Sequence, residues 1–330
     1  QGRPVRLERG MMLTLPSPAI QALQPLTILV VSPGLSGVIT AVETRLQGRR
    51  GTRIRQPYLD LAKLFRKESM APTGASAVFL AGPVIAVVCY LTVPLLIPVL
   101  TAYGLPLGYM GDILGGGMLL SMAGFVVAVA AAETGAPLTQ LGASRAKSFG
   151  AITEPVVLMV VFAVAMITGT DLPYTLAATV RASGGEILRP AHLLASAALL
   201  LVILFETARI PVEGHSSTTE FGMIEGARTF EHSGPYLALL HWGSEMKQMV
   251  FYTLFINVFV APWGLATDAG VGAVALAIAA LVVKCGALGV VVAVIDNTWA
   301  KLRLFKNTEF VAAAFLLSFL AVVTLYAGGS

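Results

Sequence analysis

Charge is scarce in this chain. Only 12% of its 330 residues are Asp, Glu, Lys or Arg, about half the share usual in a soluble domain. With 56% apolar residues and a mean hydropathy of +0.80, that shortage excludes a soluble protein and marks an integral membrane protein. Cysteine is almost absent. Cys89 and Cys285 sit far apart in apolar blocks. An iron–sulfur cluster or zinc site draws several ligands from close groups, so no metal site is expected. Both thiols read as small buried side chains. Internal repeats, low-complexity linkers and a second domain are also missing, so residues 1–330 read as one membrane domain. No signal peptide is expected, because the first apolar block is followed by Glu43-Thr44-Arg45 rather than a small-residue cleavage site. No nucleic-acid partner is expected.

What the chain has is long apolar runs. A spanning helix needs roughly 20 mostly apolar residues. Eight blocks qualify: Ile20–Val42, Ser76–Leu100, Asp112–Ala132, Pro155–Thr170, Ala191–Phe205, Met246–Leu265, Gly270–Val294 and Phe310–Tyr326. The expected fold is an all-α polytopic bundle of about eight transmembrane helices. Pro25, Pro33, Pro83, Pro94 and Pro98 predict kinked spans, which neighbouring helices tolerate in a membrane. A tail, residues 1–19, precedes the first span.

Cations mark one side. Connections after odd-numbered blocks hold sixteen Lys and Arg, with Lys247 at the edge of the sixth block counted among them, and those after even-numbered blocks two. The positive-inside rule therefore places the odd connections, and the main loops, in the cytoplasm. Arg3, Arg6 and Arg9 run against this pattern. The first odd connection, residues 43–75, is the most basic. Gly48 and Gly51 flank Arg49-Arg50 in a tight turn. From Tyr58, the alternation of Leu59, Leu61, Ala62, Leu64 and Phe65 with Asp60, Lys63, Arg66 and Lys67 predicts an amphipathic helix lying along the interface.

Acids concentrate in another connection, Glu206–Lys247. It holds six of the eighteen acids (Glu206, Glu213, Glu220, Glu225, Glu231, Glu245) and three of the four histidines (His215, His232, His241). A carboxylate at a membrane edge is costly unless hydrated, paired or protonated. The segment is either a solvated loop or a place for proton chemistry. Arg209 lies three residues after Glu206, a spacing that puts both on one helical face. That predicts an anchoring ion pair, or a carboxylate whose proton affinity a neighbouring cation tunes. Glu133 ends the third block as a relay acid or an interface residue. Glu154 precedes Pro155 as a helix N-terminal acid or a protonatable group. Lys284 is the sole cation in mid-span. It lies about 18 Å of helix from Asp296, so it is expected to meet a carboxylate of another helix or to mark a subunit seam. Trp242, Trp263 and Trp299 read as interfacial anchors.

Motif order adds a resemblance. Leu46-Gln47-Gly48-Arg49-Arg50-Gly51 with Gln56-Pro57-Tyr58-Leu59-Asp60-Leu61-Ala62-Lys63-Leu64 resembles the first cytoplasmic loop of complex I subunit 1 and its relatives in membrane-bound group 4 nickel–iron hydrogenases, the formate hydrogenlyase type. Gly142-Ala143-Ser144-Arg145 and Glu154-Pro155 resemble the third cytoplasmic loop and next helix start. Glu206-Thr207-Ala208-Arg209-Ile210-Pro211 resembles the end of the fifth helix. Glu231-His232-Ser233-Gly234-Pro235 and Ala300-Lys301-Leu302-Arg303-Leu304-Phe305 resemble later loop motifs. Ser216 and Thr218 stand where complex I members carry carboxylates, and Glu220-Phe221-Gly222-Met223-Ile224-Glu225 is similar to the hydrogenase branch.

The resemblance implies a membrane subunit of a multi-subunit oxidoreductase in a prokaryotic cytoplasmic membrane, cofactor-free and not catalytic alone. Iron–sulfur clusters and a nickel–iron site would belong to hydrophilic partner subunits, with antiporter-like subunits beside it in the bilayer. Glu133, Glu154, Glu206, Glu213, Glu220, Glu225, Lys284 and Asp296 would form its proton pathway. Arg45, Arg49, Arg50, Arg53, Gln56, Tyr58, Lys63 and Arg209 would dock the redox arm. A quinone-binding subunit of a complex I-type enzyme is the alternative, and a stand-alone ion transporter a further one.

Overall fold

The computed structural model describes residues 15–72, 74–182, 189–209, 226–300 and 306–328. Within them run α1 (Ser17–Leu46), α2 (Gln56–Phe65), α3 (Ala77–Leu96), α4 (Ile113–Glu133), α5 (Pro137–Thr168), α6 (Pro173–Ala182), α7 (Pro190–Glu206), α8 (Gly234–Leu254), α9 (Val271–Thr298) and α10 (Lys306–Gly328). A π-helical turn, Phe255–Val260, continues α8. Among the described residues there is no strand, only an isolated bridge between Thr101 and Ala266. The chain is the all-α polytopic membrane protein its composition predicts. Helices α1, α3, α4, α5, α9 and α10 are long and apolar enough to cross a bilayer, and α7 is a shorter apolar helix.

Two expected spans have different bounds. The fourth was expected to start at Pro155, yet α5 begins at Pro137 and runs 32 residues through Pro155. Proline forfeits one backbone donor and strains one turn, and packing against α4, α7 and α10 carries the helix past it. At about 1.5 Å per residue the helix is about 48 Å long, so its first turns, with Arg145 and Lys147, form a helical extension rather than a loop. The sixth was expected over Met246–Leu265, but α8 starts at Gly234, with Pro235 in its first turn. His241, Glu245 and Lys247 interrupt the apolar run that hydropathy needs, and the helix passes through them. Pro98 lies beyond the end of α3, so of the five prolines expected to kink spans, Pro25, Pro33, Pro83 and Pro94 fall inside helices.

α3 packs between α4 and α8, α1 against α8 and α9, and α10 against α5 and α7. The core threads these contacts through fully buried Ile28, Leu100, Met246, Tyr252 and Val292. The C-termini of α1, α4, α7 and α9 gather at one end, with the basic connection. That end holds the site.

Candidate functional site

Glu206 is the last residue of α7. Two residues on, Ala208 adopts φ 51°, a left-handed backbone that costs a non-glycine residue about 1–2 kcal/mol. The turn separates Glu206 from Arg209 and undoes the pairing that helical spacing predicts. Glu206 binds Lys247 of α8 at 2.8 Å. Arg209 instead enters the bundle and binds Glu43 of α1 at 3.0 Å and Asp296 of α9 at 3.5 Å. It also donates to Gln248 Oε1 at 3.1 Å, and Gln248 Nε2 donates to the Tyr252 hydroxyl at 3.0 Å. Arg209 is 4% exposed. It is an internal residue and not part of a docking surface.

Two cavities meet at this cluster. The first, about 500 Å³, lies between α1, α3 and α8, lined by Ser36, Tyr90, Arg209, His232, His241 and Glu245 among others. The second, about 300 Å³, lies between α4 and α5, with Ser121, Phe125, Lys147 and Glu154 in its wall. Gly124, Glu206, Ala208, Arg228 and Lys247 line both. The Glu206–Lys247 ion pair therefore stands in the partition between them. Glu154 lies in the wall of the second cavity, and Arg209 and Glu245 in the wall of the first.

Arg228 sits on the 3-10 turn Gly226–Thr229. The turn approaches α5 at Gly142, where a Cβ would lie 2.6 Å from that of Ala227. Arg228 is 6% exposed and donates to the Gly124 carbonyl at 3.4 Å. His232 stacks on Phe79 with ring centroids 4.1 Å apart. Burial pushes its imidazole below the ordinary histidine range, and its contact with the Phe79 carbonyl acts against that.

The other expected acids divide. Glu154 is exposed, in mid-α5 rather than at a helix start, and lines the second cavity. Asp296 is paired inside the bundle, not solvated at a helix end. Glu133 is exposed and accepts the Ser76 N–H at 3.1 Å, where it secures the start of α3, outside both cavities. Lys284 meets no carboxylate among the described residues. It donates to Asn257 Oδ1 and to the Ala261 and Trp263 carbonyls. Glu213, Glu220, Glu225 and His215 lie outside the described residues. Glu43, Lys247, Gln248, Tyr252 and Arg228 belong to the site but were missed. Their signals were present: Glu43 is the sole acid of α1, and Glu245, Gln248 and Tyr252 share one face of α8 at spacings of three and four.

The basic connection is exposed at Arg45, Arg49, Arg50, Arg53, Gln56 and Lys63. Helix α2 is the expected amphipathic helix, with Leu61 buried toward the bundle. Tyr58, half-exposed, donates its hydroxyl to the Val30 carbonyl at 2.7 Å. Pro33 has no N–H for the Leu29 carbonyl one turn back, and Trp242 Nε1 donates to that carbonyl at 3.0 Å. Trp242 is thus a strut between α8 and α1 rather than an interfacial anchor. Among the described residues, no three His, Cys, Asp or Glu side chains converge as a metal ion would require.

Known proteins share this architecture. The chain is 32% identical over 305 residues to formate hydrogenlyase subunit 4 of Escherichia coli (strain K12), covering 92% of this chain and 97% of that one. It is 27% identical over 300 residues to hydrogenase-4 component C of the same organism, covering 91% and 93%. A chain of the membrane-bound sulfane sulfur reductase, an archaeal respiratory membrane complex, has the same fold, with a TM-score of 0.76 at 18% identity over 92% of this chain and 98% of that one. The family model described as NADH dehydrogenase matches residues 20–327, from the first turn of α1 to the last of α10, and the chain belongs to that family.

Proposed function

We propose that this chain is the membrane-anchoring, proton-coupling subunit of a complex I-like oxidoreductase of the membrane-bound hydrogenase type. The observation that carries this reading is the Glu206–Lys247 pair in the wall common to both cavities. It stands between a cavity that holds an acid of α5 in its wall and one that holds an acid of α8, at the end of the bundle that presents the basic connection. The two hydrogenase-related relatives, similar over nine-tenths of this chain, support the same assignment.

In this reading the basic face is cytoplasmic and seats a hydrophilic redox arm whose subunits carry the iron–sulfur clusters and the nickel–iron site. Antiporter-like membrane subunits take up the proton movement in the bilayer. Redox change in the arm shifts the connections at this end, and with them the hydration of Glu206 and Glu245. Protonating Glu206 removes its hold on Lys247, whose ammonium in a low-dielectric wall then favours another carboxylate. A proton taken up at Glu154 thereby reaches the first cavity as a rearrangement of ion pairs.

The test is Glu206→Gln, with Glu154→Gln beside it, in the assembled complex. Subunit composition should be unchanged while proton movement per electron transferred falls to background. Proton movement at the wild-type ratio in either variant would overturn the route. A second reading, quinone binding, is favoured by the first cavity, which sets apolar Ala86 and Leu240 beside polar Ser36, His241 and Glu245. Electron transfer that requires added quinone would select it over the hydrogenase-type reading.

A further inference from the structure

The route above uses nothing from the middle of α9, where Lys284 projects into the bundle. Its ammonium has three N–H donors and meets three neutral oxygens: Asn257 Oδ1 at 2.5 Å, the Trp263 carbonyl at 2.9 Å and the Ala261 carbonyl at 3.1 Å. No carboxylate is among them. A half-buried ammonium held only by neutral oxygens is the arrangement of a bound alkali ion, with the ion on a side-chain tether.

These oxygens are available because α8 breaks. Its π-helical turn closes with the Ala261 N–H on the Ile256 carbonyl at 2.7 Å. The chain then leaves in a non-helical conformation at Ala261, φ −143°, and turns at Gly264, φ 77°. Carbonyls beyond a helix end need donors from elsewhere. That of Phe259 faces His192 Nε2 at 2.7 Å, and those of Ala261 and Trp263 turn to Lys284. Asn257 is fully buried and oriented. Its Nδ2 donates to the Pro98 and Val99 carbonyls at 2.9 and 3.1 Å, which presents Oδ1 to the ammonium. The cage is thus fixed by the segment after α3, by α7 and by the end of α8, and only the cation comes from α9. Unwound carbonyls at the C-terminal ends of broken membrane helices are what coordinate sodium in secondary transporters.

We propose that the break in α8 is a monovalent-cation site and that Lys284 is its tethered cation, which keeps alkali ions out of the bundle at this depth. The site is separate from the Glu206 route, and its test does not depend on the function assigned above.

The test uses the full-length chain, extracted with its complex in detergent, and follows the temperature at which half of it leaves solution. Sodium, potassium and choline chloride are compared at equal ionic strength. Wild type should behave alike in all three. Lys284→Ala should be several degrees less stable in choline and regain most of that loss in sodium or potassium, with a saturable dependence on the ion. Adding Asn257→Ala should abolish the regain. Where Lys284→Ala does not accumulate, Lys284→Gln is read in the same way. Equal loss in all three salts, or no loss in any, would reduce Lys284 to a helix cap and overturn the proposal. So would failure of both variants to accumulate in sodium-rich medium, since an alkali ion should be able to stand in for the lysine.

Discussion

At the residue scale the site turns on Arg209. Its side chain is 5% exposed, against 14% for Glu43 and 8% for Asp296. One cation therefore holds two carboxylates out of water, on two helices it does not belong to. Removing one member of a buried pair typically destabilises by about 3–5 kcal/mol, because the remaining charge stays buried and uncompensated. Arg209→Met should lose stability on that order, measured as thermal retention in detergent. Adding Glu43→Gln and Asp296→Asn should recover most of it, since the stranded charges are then gone. No recovery in the triple variant would mean the guanidinium matters for packing rather than charge. His232 gives a pH dependence. Its folded-state pKa is lowered by burial, so the unfolded chain binds the proton more readily. Its contribution is complete above the ordinary histidine value, about 6.5, and is lost as pH falls through the lowered folded value. Wild type should lose more stability than His232→Phe between pH 7.5 and 5.5. Sequence spacing named Glu206 and Arg209 as partners because it assumed the helix continues. A left-handed Ala208 redirected both, and no residue-type signal at alanine announces that.

At the element scale the decisive packing is the basic connection on α1. A Cβ on Gly37 would run into the Ile54 carbonyl oxygen, and one on Gly34 would lie 2.9 Å from the Tyr58 hydroxyl. The missing side chains let the connection lie directly on the helix. Pro33, one residue before Gly34, frees the carbonyl that Trp242 takes, and Phe65 meets Trp242 edge to face with ring centroids 6.0 Å apart. So α2 is held from α1 and α8 together. Gly37→Ala should lift the connection off α1 and free its backbone, so that trypsin cleaves at the already exposed Arg49–Arg55 at least several-fold faster than in wild type, while the α8–α9 core stays resistant. Unchanged cleavage would mean the connection is held elsewhere. The amphipathic pattern made α2 legible, since its period survives in the sequence whatever the tertiary context. Helix α5 was not, because a proline and a charged stretch resemble a loop when packing partners are out of view. The start of α8 was hidden for a related reason: the polar residues that build the site dilute the hydropathy that reveals a span.

At the scale of the whole molecule, composition and cation placement were enough to give a polytopic bundle with one basic end, because membrane solvation leaves so few alternatives. Which acids meet was not readable, since Glu43, Glu206 and Asp296 come from three helices far apart in sequence. What the bundle offers its surroundings at the basic end is a set of exposed arginines that stabilise nothing inside. Arg49, Arg50 and Arg53 are exposed, and their removal leaves the core contacts of α1 and α2 in place. Exposed charge of one sign steers and holds a partner of the other sign, and its effect is screened over about 8 Å at physiological salt. Under the proposed docking role, reversing all three, Arg49→Glu with Arg50→Glu and Arg53→Glu, should lower recovery of the proposed redox-arm subunits with the tagged chain on the order of tenfold at low salt. The thermal stability of the chain itself should change little, because surface substitutions of this kind stay within about 0.5 kcal/mol each. Wild-type complex washed at rising salt should show the same loss by degrees. If the triple variant retains its full complement of partner subunits, the arm is seated by something other than this face, and the acidic connection 210–225 becomes the element to vary next.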